Sequence, residues 1–531
     1  MKNISKLICF VIIFSSHLGI CQSYFQKAFG TIGHSKAFSS VLDWQGGIVT
    51  AGYNSVGSPN LPSVMRLNTN GDTLWSKIYG RHNKMGSFYS IIKTNDSCFA
   101  MCGDYADTVA ATIRPLMTIS KIDSNGTNIW YRSFYTGTHT GVPGFGIIQA
   151  QDNGYLVSGR GGGDTLFIVK TDEMGNLLWS KKVQFDSLTS LIELVIAQRT
   201  LDNGFIFLFI GAYTSNLNDV CLMKIDSVGN KIWAKHYGSI YNDFGKDIVQ
   251  TNDGDFIVTG FTINAGPNGP DDPFLLKVNE AGDLVWSKRY GLTKNEYGLS
   301  VLSLPDGGIV MQGISYYLTT SNHAFNFLIR TDSVGDTIWT KRYNTSTLLH
   351  YSKVLQTFDG GYIFSNYSRL PNNLYETLVI KTDSSGFIGN CDEGSISLPS
   401  TNFPLQTFNL TANFLPANML NYFPFNFPDS NITPVIYDLC ALTGMNQVNE
   451  SDISLFPNPF ENQITINSSQ LVKGETTFTI NTISGQEVFN RFVKNYTGTI
   501  QLNIGELNTG IYFLKISNGS NLITKKIIKY E

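Results

Sequence analysis

Residues 277–286 read KVNEAGDLVW: a basic residue, Asn or Asp two positions later, Gly three positions after that, and Trp four positions beyond the Gly. This basic–Asp/Asn–Gly core occurs seven times, and six copies have the Trp. The copies begin at Arg66, Lys121, Lys170, Lys224, Lys277, Arg330 and Lys381. Their glycines lie 49 to 55 residues apart. A repeat of about fifty residues that contains strand-like sequence segments predicts a β-propeller.

The copy between Asp243 and Gly291 shows why each repeat predicts four strands. Its segments rich in β-branched and aromatic residues are residues 246–250, 255–260, 274–278 and 283–290. Turns containing Gly, Asn or Asp separate the first two and the last two segments, and a polar loop separates the middle pair. Four short strands joined as a meander form one propeller blade. The predicted fold class is therefore all-β, with one blade per copy.

The motif residues have predicted structural roles. Asp or Asn bonds to backbone N–H groups of its own turn, and Gly supplies the positive φ that the turn needs. The Trp is expected to pack against the neighbouring blade. The basic residue is expected to keep its charged group near the motif Asp. A calcium site needs six or more oxygen ligands, which one carboxylate per turn does not supply, so no metal is predicted.

The seventh copy predicts how the ring closes. Asn390 stands where its Trp should be, whereas residues 25–30 (FQKAFG) resemble residues 286–291 (WSKRYG) in their aromatic, polar, basic and closing Gly positions. We therefore predict a seven-bladed propeller over residues 23–391, closed by the N-terminal strand. Closure of this kind covers a sheet edge that would otherwise favour aggregation.

Composition and the N-terminus indicate an exported protein. Lys2 and Lys6 precede an apolar stretch over residues 7–20, which predicts a signal peptide at residues 1–22. Acylation of Cys21 as a lipoprotein is the alternative. No other apolar run is long enough to predict a membrane span in the mature chain. The net charge of −3 gives no reason to expect a nucleic-acid partner.

The cysteines also fit an exported protein. Cys98 and Cys102 lie four positions apart in a predicted strand, which places them beyond disulfide reach. Cys391 and Cys440 flank the segment after the last repeat and are the candidate disulfide, which an exported protein can retain. Cys221 is expected to be a buried small hydrophobic residue. No cysteine spacing predicts a zinc site.

The residue composition changes after the repeats. Residues 392–447 are rich in Asn, Phe and Pro and have no repeat, so we predict a linker or an extra β segment. Residues 452–531 alternate apolar and polar residues with period two between turn signals, which predicts a small β-sandwich.

That C-terminal module has landmarks in a fixed order: FPNPF at residues 456–460, SGQEV at 484–488, LNTGIYFLK at 507–515 and KKIIK at 525–529. It resembles the type A C-terminal sorting domain of type IX secretion substrates. The residues that carry the resemblance include Phe456, Pro457, Asn458, Pro459, Gly510, Tyr512 and Lys529. The resemblance implies Sec export, passage of the outer membrane by the type IX machinery, and removal of the domain. The remaining protein would then be held at the cell surface or released.

No catalytic motif stands out. The seven histidines are scattered, no GxSxG segment occurs, and the Gly-rich residues 159–164 join two predicted strands rather than opening a helix. We therefore predict no catalytic residue and no cofactor. Residues 332–339 resemble the tryptophan-docking motif of quinoproteins, one residue short in the turn. A secreted glycan hydrolase or lyase, or a quinone-dependent dehydrogenase, is the alternative to a non-catalytic protein.

Binding residues are expected in the loops that do not repeat, because the ligand face of a propeller is built from such loops around one central pocket. Residues 81–84 and 264–273 are two such polar segments. The candidate binding residues in two others are Tyr241, Asp243, Glu296 and Tyr297. These polar and aromatic side chains favour a carbohydrate or a surface protein as ligand. The predicted function is non-catalytic binding or adhesion.

Overall fold

A computed structural model describes most of the chain. The described residues are 24–31, 33–55, 59–80, 84–109, 112–136, 142–213, 217–263, 271–291, 295–316, 324–345, 353–369, 374–389, 393–394, 396, 398, 400–417, 419–422, 429–438, 453–468, 474–482, 487–496, 499–518 and 521–530. The predicted signal peptide, Cys391, Cys440, and residues 81–83 and 264–270 lie outside them.

Within these ranges the fold is all-β and contains no helix. The strands that the repeats form are β1 (Phe25–Gly30), β2 (Ser35–Leu42), β3 (Ile48–Asn54), β4 (Leu61–Leu67), β5 (Thr73–Tyr79), β6 (Gly86–Lys93), β7 (Phe99–Val109), β8 (Thr112–Ile122), β9 (Asn128–Thr136), β10 (Gly144–Gln149), β11 (Tyr155–Arg160), β12 (Thr165–Thr171), β13 (Leu177–Phe185), β14 (Leu188–Arg199), β15 (Phe205–Tyr213), β16 (Asn218–Ile225), β17 (Lys231–Gly238), β18 (Asn242–Gln250), β19 (Phe256–Ile263), β20 (Asp272–Val278), β21 (Leu284–Tyr290), β22 (Asn295–Ser303), β23 (Ile309–Tyr316), β24 (Ala324–Thr331), β25 (Thr337–Thr345), β26 (Lys353–Gln356), β27 (Tyr362–Arg369) and β28 (Tyr375–Thr382).

These strands form seven antiparallel sheets in the described part of the chain, one per repeat, which we number in chain order. The strand orders are β2-β3-β4-β5 in sheet 1, β6-β7-β8-β9 in sheet 2, β10-β11-β12-β13 in sheet 3, β14-β15-β16-β17 in sheet 4, β18-β19-β20-β21 in sheet 5, β22-β23-β24-β25 in sheet 6 and β26-β27-β28-β1 in sheet 7. The first strand of each order is called the inner strand. The architecture is propeller-like.

Sheet 7 combines the first strand of the described chain with the last repeat. β1 pairs with β28 in antiparallel register, so that Phe25 lies opposite Lys381 and Phe29 opposite Thr377. The strand predicted at residues 25–30 is therefore present, and it occupies the fourth place in the sheet of the repeat that lacks its own Trp strand.

The core lies between neighbouring sheets. Sheets 5 and 6 share a buried cluster that includes Leu275 and Val301, for example. Sheets 7 and 1 share one that includes Phe29 and Ile48. Inner strands also contact one another in succession: β2 with β6, β6 with β10, β10 with β14, β14 with β18, β18 with β22, β22 with β26, and β26 with β2. Apolar burial of this extent is the main stabilising contribution to such a fold.

The motif Trp packs against the next sheet, as predicted. A β-carbon added to Gly335 of sheet 6 would lie 2.9 Å from the Trp286 ring of sheet 5. Tyr290 then donates a hydrogen bond to the Gly335 carbonyl oxygen at 2.6 Å. Gly335 has φ of 81°, a conformation that other residues rarely adopt. The motif glycine thus provides both the turn and the flat surface that the neighbouring indole covers.

The predicted partner of the basic motif residue was wrong. Lys170 forms an ion pair at 2.7 Å with Asp152, which lies in the turn between the first two strands of the sheet. Its own motif residue, Asp172, accepts hydrogen bonds from the Asn176 and Met174 N–H groups instead. Antiparallel pairing of the second and third strands places that first turn beside the basic residue. The pairs are Arg66–Asp43, Lys121–Asp96, Lys170–Asp152, Lys224–Asp202, Lys277–Asp253, Arg330–Asp306 and Lys381–Asp359.

Residues 393–438, which we call the belt, add a fifth strand to each of these sheets. The belt strands are β29 (Glu393–Gly394), β30 (Ser400–Asn402), β31 (Gln406–Asn409), β32 (Ala412–Pro416), β33 (Met419–Tyr422), β34 (Asp429–Asn431) and β35 (Val435–Asp438). In this order they pair with sheets 6, 5, 4, 3, 2, 1 and 7. The belt therefore runs past the sheets in reverse order, and β35 pairs with β1.

Side chains from the belt strands and from the segments between them anchor the belt. Phe403 and Leu405 are buried in the cluster between sheets 4 and 5, and Leu410 in the cluster between sheets 3 and 4. Asp429 forms an ion pair with Lys77 of sheet 1 at 2.8 Å. The segment predicted as a linker or an extra β segment thus contains strands that cover the outer edges of the sheets.

The C-terminal module has two sheets around one core. Its strands are β36 (Ile453–Phe456), β37 (Gln463–Ser468), β38 (Gly474–Thr482), β39 (Glu487–Tyr496), β40 (Thr499–Asn503), β41 (Gly510–Asn518) and β42 (Asn521–Lys529). The sheet orders are β36-β37-β40 and β39-β38-β41-β42. Ile464 and Leu502 of the first sheet pack with Phe478 and Leu514 of the second.

Cys98, Cys102 and Cys221 are free thiols. Cys221 is fully buried, as predicted. Across the described ranges we find no apolar helix of the length that a membrane crossing requires.

Candidate functional site

The inner strands enclose a cavity of about 280 Å³. The strands β2, β6, β10, β14, β18, β22 and β26 each contribute to its wall. Its volume is near the lower end of the roughly 300–1,000 Å³ that is usual for ligand pockets. We call it the channel cavity.

β-Bulges contribute several of the side chains that line this cavity. In six inner strands the pairing register with the second strand of the sheet shifts. Five of them have one extra residue inserted at the shift, and β14 has two shifts. The single inserted residues are Phe38, Tyr89, Phe145, Lys246 and Leu299, and all five line the cavity. A bulge turns the inserted side chain away from the sheet face that its neighbours occupy. The bulge thus presents a variable residue on an otherwise repeating scaffold.

Three of these residues form one aromatic wall. The Phe38 and Tyr89 rings are stacked, with centroids 5.3 Å apart and planes at 29°. The Tyr89 and Phe145 centroids are 5.1 Å apart. Such pairs are stabilising beyond the area they bury, typically by about 0.5–1.5 kcal/mol. Sheets 1, 2 and 3 therefore present a continuous aromatic arc to the cavity.

A charged cluster stands on the part of the wall that sheets 5, 6 and 7 contribute. The Asp247 carboxylate accepts hydrogen bonds from Lys353 Nζ at 2.9 Å to each oxygen and from Ser300 Oγ at 2.7 Å. The Val301 N–H donates to it at 3.0 Å. Ser300 Oγ in turn accepts the N–H of Val354 at 3.0 Å. This cluster joins three sheets and satisfies the buried carboxylate.

Lys246, the residue before Asp247, carries a second positive charge into the cavity. Its Nζ lies 5.4 Å from the centroid of the Phe261 ring. A cation–π contact of this kind attracts the ammonium group to the face of the ring.

An aromatic rim continues the arc. Lys36 Nζ lies 4.0 Å from the centroid of the Tyr375 ring and 4.5 Å from that of Tyr367. Burial lowers the pKa of the Lys36 ammonium group. Tyr367 also contacts Phe38 edge to face at 6.4 Å. The aromatic surface therefore extends from the cavity wall to the boundary between sheets 7 and 1.

Acid–base chemistry is poorly supported by this wall. Asp247 is the one carboxylate among the described residues that line the cavity. A glycosidase-type mechanism needs two carboxyl groups about 5–10 Å apart. Within the described ranges, moreover, no group of three His, Cys, Asp or Glu side chains is placed to hold a metal ion.

The four predicted binding residues lie elsewhere, and none of them lines the cavity. Asp243 is fully buried, its carboxylate accepts the Ser239 N–H at 2.6 Å, and burial raises its pKa to about 6. Glu296 is 2% exposed and accepts a hydrogen bond from Ser315 Oγ at 3.0 Å. These two acids lie within sheets 5 and 6. Sequence reasoning placed them on loops because the inner strands begin earlier than their apolar residues indicate.

The two tyrosines predicted to bind ligand, Tyr241 and Tyr297, differ in their packing and hydrogen bonds. Tyr297 donates a hydrogen bond to Asp271 at 2.7 Å and packs edge to face on Phe261. Tyr241 is partly exposed, and its N–H donates to Ser239 Oγ at 3.0 Å.

Sequence reasoning missed the bulge residues. A weak signal was present, since Phe38, Phe145, Lys246 and Leu299 each follow an Ala or Gly and precede Ser, Gly or Asp. A large residue between small or polar ones in these four first strands could have indicated a bulge.

The C-terminal module joins its motif residues in one place. Asn458 Oδ1 accepts the Ile528 N–H at 2.9 Å, so the Pro-Asn-Pro segment is held by the last strand. Gly510 lies opposite Lys529 in the β41–β42 pairing. Tyr512 donates a hydrogen bond to the Asn508 carbonyl oxygen at 2.8 Å. Residues 454–530 match the family model of the secretion system C-terminal sorting domain.

The C-terminal module is a type IX secretion sorting domain. A sorting domain marks its chain for the type IX machinery, so this is a secreted protein that becomes attached to the surface or released. The prediction made from the FPNPF and KKIIK landmarks is confirmed.

Outside the sorting domain, similarity to known proteins is low. No curated protein matches the sequence. A protein of unknown function from Bacteroides caccae is 13% identical, with a TM-score of 0.35 over 61% of this chain and 94% of that one. A second one, from Dyadobacter fermentans, is 12% identical, with a TM-score of 0.40 over 55% and 93%. An ulvan lyase, which represents a new polysaccharide lyase family, is 8% identical, with a TM-score of 0.44 over 68% and 96%. These scores are too low to transfer a function.

Proposed function

We propose that this protein is an exported, non-catalytic binding or adhesion protein whose ligand site is the channel cavity of a seven-bladed propeller. The sorting domain delivers it to the outer surface, where it acts attached or after release. Residues 23–391 together with the belt form the binding domain.

Several contacts support a closed ring of seven blades. β1 completes sheet 7 by pairing with β28. The inner strand β26 contacts β2, and sheets 7 and 1 share a buried cluster just as the other neighbours do. Phe25 covers Gly71 of sheet 1 in the way that each Trp covers the next motif glycine.

One observation carries the proposed binding function: the cavity presents an aromatic wall, and its described carboxylate, Asp247, is neutralised by Lys353. Aromatic faces bind the apolar faces of sugar rings and of peptides, and such binding needs no catalytic group. A carboxylate that already accepts hydrogen bonds from Lys353, Ser300 and the Val301 N–H is poorly placed to act as a general base. Carbohydrate is the ligand class that we favour over a surface protein.

The four binding residues predicted from the sequence have a supporting role in this proposal. Tyr241 is available for contact with a bound ligand, whereas the buried Asp243 and Glu296 and the packed Tyr297 shape the inner strands beneath it.

The test is retention of the whole chain on an array of immobilised glycans, with and without calcium, followed by titration calorimetry of each retained glycan. We expect binding without release of products. Tyr89→Ala should weaken it about tenfold or more, since burial of a large apolar side chain contributes about 1.5–3 kcal/mol. Phe358→Ala, which removes a ring that is 69% exposed in a turn, is the matched control and should bind like the wild type.

Two results would contradict the proposal. Release of reducing ends or of unsaturated sugars from a bound glycan would show an enzyme. Binding that survives Tyr89→Ala unchanged would place the ligand outside the channel cavity.

A further inference from the structure

We propose that the channel cavity binds the end of a glycan chain, with the last sugar rings against the aromatic arc and their hydroxyl groups bonded to Gln198 and Ser40. This inference rests on the proposed binding function. It adds the part of the ligand that is recognised and two residues that recognise it. Three features of the wall support it: its closure, its volume and two unpaired polar groups.

The wall of the channel cavity is closed around its axis. Each of the seven inner strands contributes lining residues. Successive inner strands contact one another from β2 to β26, and β26 contacts β2. In the described part of the chain, neighbouring inner strands therefore leave no lateral opening between them. A ligand enters along the axis that these strands surround, and a polymer can do so only with a free end.

The volume of the cavity limits how much of the ligand it can hold. At about 280 Å³ it lies near the lower end of the range for ligand pockets, which suits roughly one or two sugar rings. Phe38, Tyr89 and Phe145 provide an aromatic surface on which one face of a terminal ring can stack. The hydroxyl groups around the edge of that ring then need hydrogen-bond partners in the neighbouring wall.

Gln198 is a polar residue at a position that is apolar in the other sheets. It lines the cavity and forms the last but one pair of β14 with β15, opposite Ile206. The amide oxygen of Gln198 is buried and has no hydrogen-bond partner among the described residues. The residues at the same place in the other six inner strands are Val41, Ile92, Ile148, Val249, Leu302 and Leu355. The packing of the repeat therefore gives no reason for an amide here.

Ser40 is the second exception, one position earlier in its inner strand. It lines the cavity, is 2% exposed, and has a hydroxyl oxygen without a hydrogen-bond partner within the described ranges. The residues at this place in the other inner strands are Ile91, Ile147, Ala197, Ile248, Val301 and Val354. Gln198 and Ser40 thus occupy two adjacent positions that are otherwise apolar in every sheet.

The energetic cost of unpaired polar groups favours a binding role for both residues. A buried polar group without a partner destabilises a fold, and the other sheets show that an apolar side chain fits each position. Departures from local consistency are expected where a residue serves a function. Ser40 lies on the strand of Phe38, at one end of the aromatic arc, and Gln198 lies on β14, which contacts the strand of Phe145 at the other end. A ring stacked on the arc therefore has a hydrogen-bonding residue towards each end.

The stoichiometry of binding tests whether a chain end is recognised. The whole protein is titrated by calorimetry with linear oligosaccharides of increasing length, from the disaccharide upwards, prepared from a glycan that the array retains. A linear chain has one end of each kind, so we expect one protein molecule per chain at every length. The affinity per chain should vary by less than about twofold beyond the shortest members. Several protein molecules on each of the longest chains would overturn recognition of an end.

Gln198→Leu is the decisive variant, because it introduces the side chain that Leu302 and Leu355 provide at the same position. It should weaken binding roughly fivefold or more, since a hydrogen bond to the ligand is lost. Its stability should not fall, because the amide oxygen has no partner to lose among the described residues. Ser40→Ala should behave in the same way. Gln501→Leu, at an exposed position of the sorting domain, is the matched control and should leave the affinity unchanged.

The outcomes separate the inference from the proposed function. If Tyr89→Ala weakens binding but Gln198→Leu and Ser40→Ala do not, the channel site stands and the assignment of the two polar residues is wrong. The same assignment is wrong if Gln198→Leu unfolds more easily than the wild type, since the amide then has a structural role. If long chains carry several protein molecules and Tyr89→Ala still weakens binding, the channel site stands without recognition of an end. If none of the three variants changes the affinity for any retained glycan, the channel site and the inference fail together.

Discussion

Phe25 lies directly over Gly71, so that a β-carbon added to the glycine would be 2.6 Å from Phe25 Cζ. Trp286 has the same relationship to Gly335 at 2.9 Å. An aromatic residue from the start of the domain thus replaces the Trp that the seventh repeat lacks, and it joins sheet 7 to sheet 1. Removing that ring tests whether this junction stabilises the domain.

Phe25→Ala should lower the free energy of unfolding by about 3–4 kcal/mol, because it removes a buried ring and leaves a cavity. Urea denaturation followed by tryptophan fluorescence measures the change. Phe358→Ala is the control and should shift the stability by less than about 0.5 kcal/mol, since this ring is 69% exposed. A Phe25→Ala protein as stable as the wild type would show that the junction contributes nothing.

The belt should be needed for the stability of the domain. Phe403→Ala should cost roughly 3 kcal/mol, because Phe403 is 5% exposed and packs on Phe274. Leu415→Ala, at a belt position that is 45% exposed, should cost less than about 0.5 kcal/mol. Thermal unfolding of the two variants measures the difference.

Truncation gives a second test of the belt. A chain that ends at residue 438 should stay monomeric, whereas one that ends at residue 391 should aggregate because its outer strand edges lose their partners. Equal solubility of the two chains in size-exclusion chromatography would contradict this role.

Asp243 should make stability depend on pH. Its pKa is near 3.9 in an unfolded chain and is raised to about 6 in the folded protein by burial. Between these pH values the unfolded chain has lost the proton and the folded one keeps it, so stability falls as pH rises from about 4 to about 6. Asp243→Asn removes this effect. The variant should be more stable than the wild type at pH 8 by on the order of 2–3 kcal/mol, and about equal at pH 4.

Urea denaturation at both pH values measures the Asp243 effect. Glu173→Gln, at an exposed position, is the control and should leave the pH profile unchanged. A constant difference between Asp243→Asn and the wild type at pH 4 and pH 8 would mean that Asp243 does not titrate in this range.

Removing only the acidic partner of one of the repeated ion pairs should lower the free energy of unfolding. Lys170 is 4% exposed and Asp152 is 56% exposed in their pair. Asp152→Ala leaves the buried ammonium group without its carboxylate, and we expect a loss of about 3 kcal/mol. Lys170→Met combined with Asp152→Ala should recover most of that loss, since no buried charge remains. A double variant less stable than the single one would refute this explanation, and denaturation in urea distinguishes the two.

Much of the fold was predictable because it repeats. The turn and Trp positions indicated one four-stranded sheet per copy, and residues 25–30 were recognised because they resemble residues 286–291. The partner of Lys170 was misjudged because Asp172 is nearer in sequence, whereas antiparallel pairing makes Asp152 nearer in space. Sequence separation is a poor guide to contacts between adjacent strands.

The belt and the channel wall were harder to predict, for different physical reasons. Belt strands are only two to five residues long, and each pairs with a sheet edge far away in the sequence, so no periodic pattern marks them. Bulges place five side chains in the cavity wall, and a bulge depends mainly on the register with a partner strand, so its local sequence signal is weak. Asp243 and Glu296 drew attention as loop acids, but the inner strands include them.

Sheet 7 joins the most distant parts of the domain. Ala28 pairs with Leu378 on one side and with Tyr437 on the other. Neither ladder can form until almost all of the domain has been synthesised and exported, and contacts at such long sequence separation form slowly. A nascent or partly translocated chain therefore has sheets with open edges at both ends of the array. Pairing of β35, the final belt strand, with β1 completes the domain. In the sequence, β35 is the last described strand before the sorting domain.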